Sequence, residues 1–359
     1  MIDSYNFEDR KLVEIVKATY FNPKIVVIDE TTTALSQEGR EELYKHMERI
    51  RKSGNTVIFI SHDLPEIIEK SDTITILRDG VYIDTVKSKD VNENDLKKLM
   101  VGREVTGDYY RSDYGEKVSD EVVLSVKDVT VPGLIENVSF DLHKGEILGF
   151  GGLSESGMHE IGKAIFGASY DREGTVELAD GTQINDIPTA IKHSIAYTSK
   201  DRDNESVVLN QSIGDNICLP SLDELSGPAH LISDKKKKDF ANKFAKQMSV
   251  KMVDVNQFVS NLSGGNKQKV VLARWIGKDS DIVVLDSPTR GIDIKVKQDI
   301  YQLMNQMRKN GKSIIMISEE LMELIGMCDR IMIMKDGKIS GELERDQNLD
   351  ENGLITMMV

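Results

Sequence analysis

One module is written twice in this chain. Sliding the sequence on itself by 257 residues (286 minus 29) lays KIVVIDETT, starting at Lys24, on DIVVLDSPT, starting at Asp281. The match runs on without a gap. Arg51, Lys52 and Gly54 meet Arg308, Lys309 and Gly311; Ile60-Ser61 meets Ile317-Ser318; Asp72 meets Asp329; Asp79-Gly80 meets Asp336-Gly337. Any fold must therefore hold two copies of one supersecondary unit.

Within each copy the periodicity predicts a helix (Leu12 to Thr19; Lys269 to Gly277), a buried apolar strand ending in Asp, and a second helix. Another apolar strand (Thr56 to Ser61; Ser313 to Ser318), a short helix and two strands around a DG turn follow. Apolar strands alternating with helices imply an α/β fold with a parallel sheet covered on both faces. The polar stretch Ser88 to Asp120 reads as a tail helix and linker. The expected organisation is a first module over 1–102, a linker over 103–120 and a second module over 121–359. The second copy adds a strand-loop-helix unit, Glu146 to Phe166, whose counterpart would lie before Met1.

A formal net charge of −14 and a pI near 5.0 repel a phosphate backbone, so nucleic acid is not expected as a partner. The one basic run, Lys235 to Lys238, reads as a solvated helix face. Two cysteines, Cys218 and Cys328, lie far apart and lack metal-ligand spacing, which points to a reduced compartment. No apolar run reaches the roughly 18 residues a bilayer span needs. The start, MIDSYNFEDRK, is too polar for a signal peptide. Any membrane role is expected to come through a partner.

The run NLSGGNKQKVVLARWI followed by DIVVLDSPTRGID is similar to the signature motif and Walker B strand of ATP-binding-cassette proteins. The resemblance covers essentially the whole chain and implies a P-loop NTPase fold in tandem, the first cassette incomplete. In that family a nucleotide lies between two cassettes packed head to tail, Walker motifs from one facing the signature of the other. The resemblance gives Ser263, Gly264, Gly265 and Asn266 the signature role, at a helix N-terminus suited to a γ-phosphate. It gives Asp29 the Mg²⁺, held directly or through water, Glu30 the attacking water, and His62 a hydrogen bond to the γ-phosphate.

The second copy keeps that frame and changes its chemistry. GGLSESGMH has Gly152 and Gly157 at P-loop spacing, with Ser154, Glu155 and Ser156 between them. Met158 replaces the phosphate-binding Lys and His159 the Mg²⁺-binding Ser or Thr. Asp286 is the Walker B counterpart, Ser287 stands where Glu30 stands, and Glu319 where His62 stands, placing a carboxylate toward a phosphate it would repel. No glutamine occurs in Tyr197 to Asp203, where the family's Q-loop falls.

The first copy is degenerate elsewhere, since Tyr5, Asn6, Phe7, Glu8 and Asp9 replace Leu262 to Asn266. Head-to-tail pairing then joins Asp29, Glu30 and His62 with Ser263 to Gly265, while the other site at most holds nucleotide. This asymmetry resembles the ATPase subunits of bacterial ribose, galactose and xylose importers. The resemblance implies ATP and Mg²⁺ as cofactors, and integral-membrane permease subunits with an extracytoplasmic sugar-binding protein as partners. It implies a peripheral place on the cytoplasmic membrane face. Gly152 stands 134 residues (286 minus 152) before Asp286, whereas only 28 residues precede Asp29, so the first Walker A loop and Q-loop are expected to be missing. A nucleoside importer, a soluble two-cassette factor acting on ribosomes and a non-catalytic interaction protein are the competing readings.

Overall fold

The described residues of the computed structural model run from 7 to 358, leaving out 22, 30, 33–34, 36, 62, 79–80, 94, 97–98, 100–108, 114–116, 154, 228–229, 293 and 347–348. The chain divides into two compact units, Met1–Gly107 and Asp108–Val359.

In the first unit the order is α1 (Phe7–Thr19), β1 (Ile25–Asp29), α2 (Gln37–Lys52), β2 (Thr56–Ile60), α3 (Leu64–Lys70), β3 (Thr73–Arg78) and β4 (Val81–Lys87). Strands β1 and β2 pair in parallel from Ile25↔Thr56 to Asp29↔Ile60, and β3 and β4 form an antiparallel hairpin. Helix α2 places Leu43 and Met47 on Val26 and Ile28, the inward residues of β1. The other face of the pair is open: Ile25 and Val27 are 59% and 58% exposed, Ile58 and Ile60 48% and 45%.

The second unit carries a six-stranded sheet and a three-stranded antiparallel one. The smaller sheet is built from β5 (Val122–Val131), β6 (Ile135–His143) and β8 (Glu173–Leu178). The larger contains β7 (Ile147–Gly152), β9 (Ile195–Thr198), β10 (Ile282–Asp286), β11 (Ser313–Ile317), β12 (Arg330–Lys335) and β13 (Lys338–Glu344). Its spatial order is β13-β12-β7-β11-β10-β9, with every pairing parallel except β12 with β13. Strands β7, β10 and β11 are buried at every residue, as a parallel sheet covered on both faces requires. One cover is α4 (Met158–Ile165), which approaches so closely that a Cβ on Gly162 would lie 3.0 Å from Ile317 and 3.4 Å from Val284. Val284 and Ile317 are the repeat counterparts of the exposed Val27 and Ile60. The same sequence is thus half-exposed in one unit and buried in the other because α4 overlies it in the second.

The repeat extends to a buried polar knot. In the first unit Glu66 accepts hydrogen bonds from Thr32 (3.1 Å), Ser61 (2.7 Å) and the Tyr44 hydroxyl. In the second, Glu323 accepts from Ser318 (2.8 Å), Thr289 and the Tyr301 hydroxyl. All four residue types recur at the same offset. Each knot ties the segment after the Asp-ending strand to the end of the next strand.

The short elements differ modestly from expectation. The helix after the SGG run starts at Gly264 rather than Lys269 and runs to Lys278, because the glycines enter its first turn. Lys235, Lys236 and Lys238 lie exposed on the helix Asp234–Gln247, while Lys237 is half-buried and pairs with Asp215. Cys218 and Cys328 are buried and unpaired with each other. Among the described residues no helix is long and apolar enough to cross a membrane.

Candidate functional site

The glycine loop of the second unit is built as its spacing suggests. It leaves the buried strand β7 at Gly152, where a Cβ would lie 2.7 Å from the carbonyl of Met334, and enters α4 at Gly157. Gly157 has φ +88°, and a Cβ there would lie 2.6 Å from the carbonyl of Leu134, so glycine is required twice over. Between them Glu155 is exposed and Ser156 is buried, its Oγ without a hydrogen-bond partner among the described residues. Ser154 lies outside the described residues.

The next two residues divide core from site. Met158 is fully buried, packed among the apolar side chains under the sheet. The position that presents an ammonium to phosphate in the family is here part of the core. His159, 4% exposed, faces the end of β10 instead. Its Nδ1 lies 2.7 Å from Asp286 Oδ1 and its Nε2 3.4 Å from Glu319 Oε1.

Asp286 has further partners. Tyr197 donates its hydroxyl to Oδ2 at 3.4 Å and Ser287 donates to Oδ1 at 3.3 Å. Ser287 sits at φ +48°, its N–H bonded to the carbonyl of Ile317 at 2.9 Å, so this corner is pinned to β11. Burial alone pushes the His159 pKa down. The hydrogen bonds to Asp286 and Glu319 outweigh it and raise the imidazole above its ordinary value. The hydrogen bond from His159 in turn holds Glu319 down at about 2. Glu319, expected to face a phosphate, is engaged by the imidazole.

Ser263, Gly264, Gly265 and Asn266 form the start of one helix. Ser263 is the exposed N-cap of the 15-residue helix Gly264–Lys278 and makes no side-chain cap, so the first-turn N–H groups are not closed by it. Asn266 turns back on this cap, donating from Nδ2 to Ser263 Oγ at 2.9 Å and accepting the Lys251 N–H at 2.8 Å. Gly265 continues the first turn. Two residues from another segment lie against this end. Lys267 pairs with Asp203 at 2.9 Å, and Arg202 places Nη2 3.1 Å from where a Gly264 Cβ would be. Both bracing residues fall in the segment that lacks the family's glutamine, and nothing in their spacing announces the contact. The Glu66 and Glu323 knots were legible in principle, since every member is identical across the repeat.

In the first unit Asp29 closes β1, and its residue is exposed. Glu30 and His62 lie outside the described residues. Among the described residues no three or more His, Cys, Asp or Glu side chains gather as a metal cage. Mg²⁺ needs no such cage, because it commonly takes one or two carboxylates plus nucleotide phosphates and keeps its waters. An exposed carboxylate at a strand end, Asp29, fits that requirement. Asp286, closed in by three protein groups, does not.

The family model described as ABC transporter matches residues 135–290. The xylose import ATP-binding protein XylG of Thermoanaerobacter pseudethanolicus is 43% identical over 94% of this chain and 68% of its own length. The ribose import ATP-binding protein RbsA of Clostridium tetani is 38% identical over 96% of this chain and 68% of its own. Among solved structures, a dimeric bacterial ABC transporter cassette superposes with a TM-score of 0.55 at 22% identity, covering 62% of this chain and 99% of that one. A nucleotide-free cassette from an ABC transporter gives 0.56 at 18% identity, over 66% and 99%. At these identities the structural likeness speaks to the fold, which is the P-loop NTPase fold of ABC ATPases.

Proposed function

The chain belongs to the ATP-binding, ATP-hydrolysing subunits of ABC transporters, and on that ground we propose that it is the tandem-cassette motor of a monosaccharide importer with one competent and one degenerate nucleotide site. The observation that supports this best is the opposite decay of the two modules. The second unit keeps an open, glycine-started signature helix at Ser263 to Gly265 but buries Met158 where a phosphate-binding ammonium belongs. The first keeps Asp29 exposed at the end of β1, followed in sequence by Glu30 and, after β2, by His62. Its own signature position reads YNFED.

In this reading Asp29 would hold Mg²⁺, which when bound would supply charge neutralisation at the phosphates. Glu30 would orient or deprotonate the attacking water, and His62 would hydrogen-bond the γ-phosphate. Ser263 and the N–H groups of Gly264 and Gly265, at a helix N-terminus, suit phosphate oxygens, aided by the helix dipole. The sugar as cargo rests on the names of the relatives. Permease subunits and a sugar-binding protein are the partners, and the chain sits on the cytoplasmic membrane face.

The glycine loop carries Met158 where a lysine would meet phosphate, so residues 1–359, purified alone, should hydrolyse ATP at background. Magnesium-dependent turnover well above a buffer blank, abolished by Glu30→Gln, would contradict this. For the cargo, cells deleted for the chain should lose uptake of labelled ribose or xylose; unchanged uptake of both would refute the sugar assignment.

A further inference from the structure

Read as the Walker B counterpart, Asp286 should keep a carboxylate oxygen free for a divalent cation. It does not. His159 Nδ1 is 2.7 Å from Oδ1, the Ser287 hydroxyl 3.3 Å from the same oxygen, and the Tyr197 hydroxyl 3.4 Å from Oδ2. Asp286 is 1% exposed, and the imidazole that fills its front is itself nearly buried. Mg²⁺ takes ligands at about 2.0–2.1 Å in near-octahedral geometry and dehydrates reluctantly, so it needs both an oxygen and room for water.

The ring also supplies what a cation would. Its second nitrogen faces Glu319 Oε1 at 3.4 Å, so two carboxylates bracket one imidazole. With one ring nitrogen at each carboxylate, the imidazole occupies the space between them. Arg290 and Lys200 add positive charge beside Glu319, which opposes the entry of a further cation. Nor can the ring swing aside cheaply. The preceding Met158 is fully buried, and Gly157 is held by a conformation and a contact that admit no side chain.

We infer that His159 takes the place a divalent cation would hold at Asp286, leaving the second cassette's Walker end filled by the protein itself and unable to bind Mg²⁺. The inference rests on reading Asp286 as the Walker B counterpart, whereas the competence of the first cassette does not bear on it.

Metal-directed backbone cleavage tests it on the full chain. With Fe²⁺, ATP, ascorbate and peroxide, a metal bound at a Walker B carboxylate cuts the chain beside it. Cuts near Asp29 report on the first cassette and the proposed function; cuts near Asp286 report on this inference alone. The wild-type chain should show no fragment ending near Asp286 above a metal-free control. His159→Thr, which removes the ring and supplies a hydroxyl, should produce that fragment, and His159→Gln, which keeps an N–H donor there, should not. Cutting near Asp286 in the wild type, or its absence in a folded His159→Thr chain, overturns the inference. A measurement without any variant at the site guards against misfolding. In the imidazole ¹⁵N spectrum, the His159 signals should keep their intensity when MnCl₂ and ATP are added; broadening beyond detection overturns the inference as well.

Discussion

Glu66 and Glu323 stand at equivalent places in the two halves of the chain, and each collects a threonine, a serine and a tyrosine hydroxyl. The acceptor is needed on folding grounds, since a buried hydroxyl without one costs about 1–3 kcal/mol. Burial pushes the Glu323 carboxyl up, while Lys297 and the hydroxyls of Thr289 and Tyr301 oppose that rise. Glu323→Leu should destabilise the second unit by about 3 kcal/mol. Urea unfolding followed by the fluorescence of Trp275, the one tryptophan, measures this unit specifically. A loss below about 0.5 kcal/mol, the range of substitutions away from buried networks, would show the knot to be dispensable.

A second buried network pins residues 111–113 to the sheet. Arg111 bonds Asp329 at 2.7 Å, Asp113 at 2.9 Å and the carbonyl of Met327 at 2.7 Å. Arg308 reaches Asp113 at 3.0 Å and Asp329 at 3.3 Å. Arg111→Met leaves Asp329 without its closest cation and should cost about 3–5 kcal/mol. Burial pushes the Asp113 carboxyl up, but the bonds from Arg111 pull it further down, to below its ordinary value. A depressed folded pKa stabilises the fold above the unfolded carboxylate range and loses that contribution as pH falls through it. The penalty of Arg111→Met should therefore shrink on acidification, and a penalty constant from neutral pH into the strongly acidic range would contradict the assignment.

Both thiols should be silent in the folded protein. Burial pushes Cys218 up to about 11 and raises Cys328 further. A thiol raised above 8.5 has little thiolate near neutrality. A disulfide reagent at mildly alkaline pH should titrate neither thiol until denaturant is added, and then both. Fast reaction of either in the native chain would show the surrounding packing to be open.

The two units should differ in protection. In the first, β1 pairs with β2 alone among the described residues, and Val27 and Ile60 are open to solvent. In the second, their counterparts Val284 and Ile317 are fully buried within a six-stranded sheet. Amide exchange over Ile25–Asp29 should be faster than over Ile282–Asp286 by orders of magnitude. Equal protection in a monomer would mean that something else covers the first unit's strands.

Much of this was legible in the residues and part was not. The repeat exposed the two modules, and the apolar runs gave the parallel strands because a sheet buried on both faces demands them at every position. The glycines of the loop were readable because the positive φ of Gly157 and the close backbone approach at Gly152 and Gly157 leave few alternatives. Substitution at Met158 and His159 was visible, but its consequence was not. Letters show that a lysine is absent; packing alone shows that the methionine joined the core and that the imidazole closed on Asp286. The bracing of Gly264 by Arg202 and of Lys267 by Asp203 depends on a turn whose path no periodicity encodes.

On the proposed function the working half-sites lie on different modules, Walker B chemistry on the first and the signature on the second. Steady-state ATP turnover decides this, measured on the chain fused behind a Walker A-bearing segment of a relative and assembled with the proposed permease. Glu30→Gln should lower turnover by about a hundredfold or more, because it removes the group that positions the water. Ser263→Arg should do the same by blocking the γ-phosphate seat, and Ser287→Ala should leave turnover within about threefold, since it touches no transition-state charge. Should Ser287→Ala cost as much as Glu30→Gln, both sites would be working and the division into a competent and a degenerate cassette would be wrong.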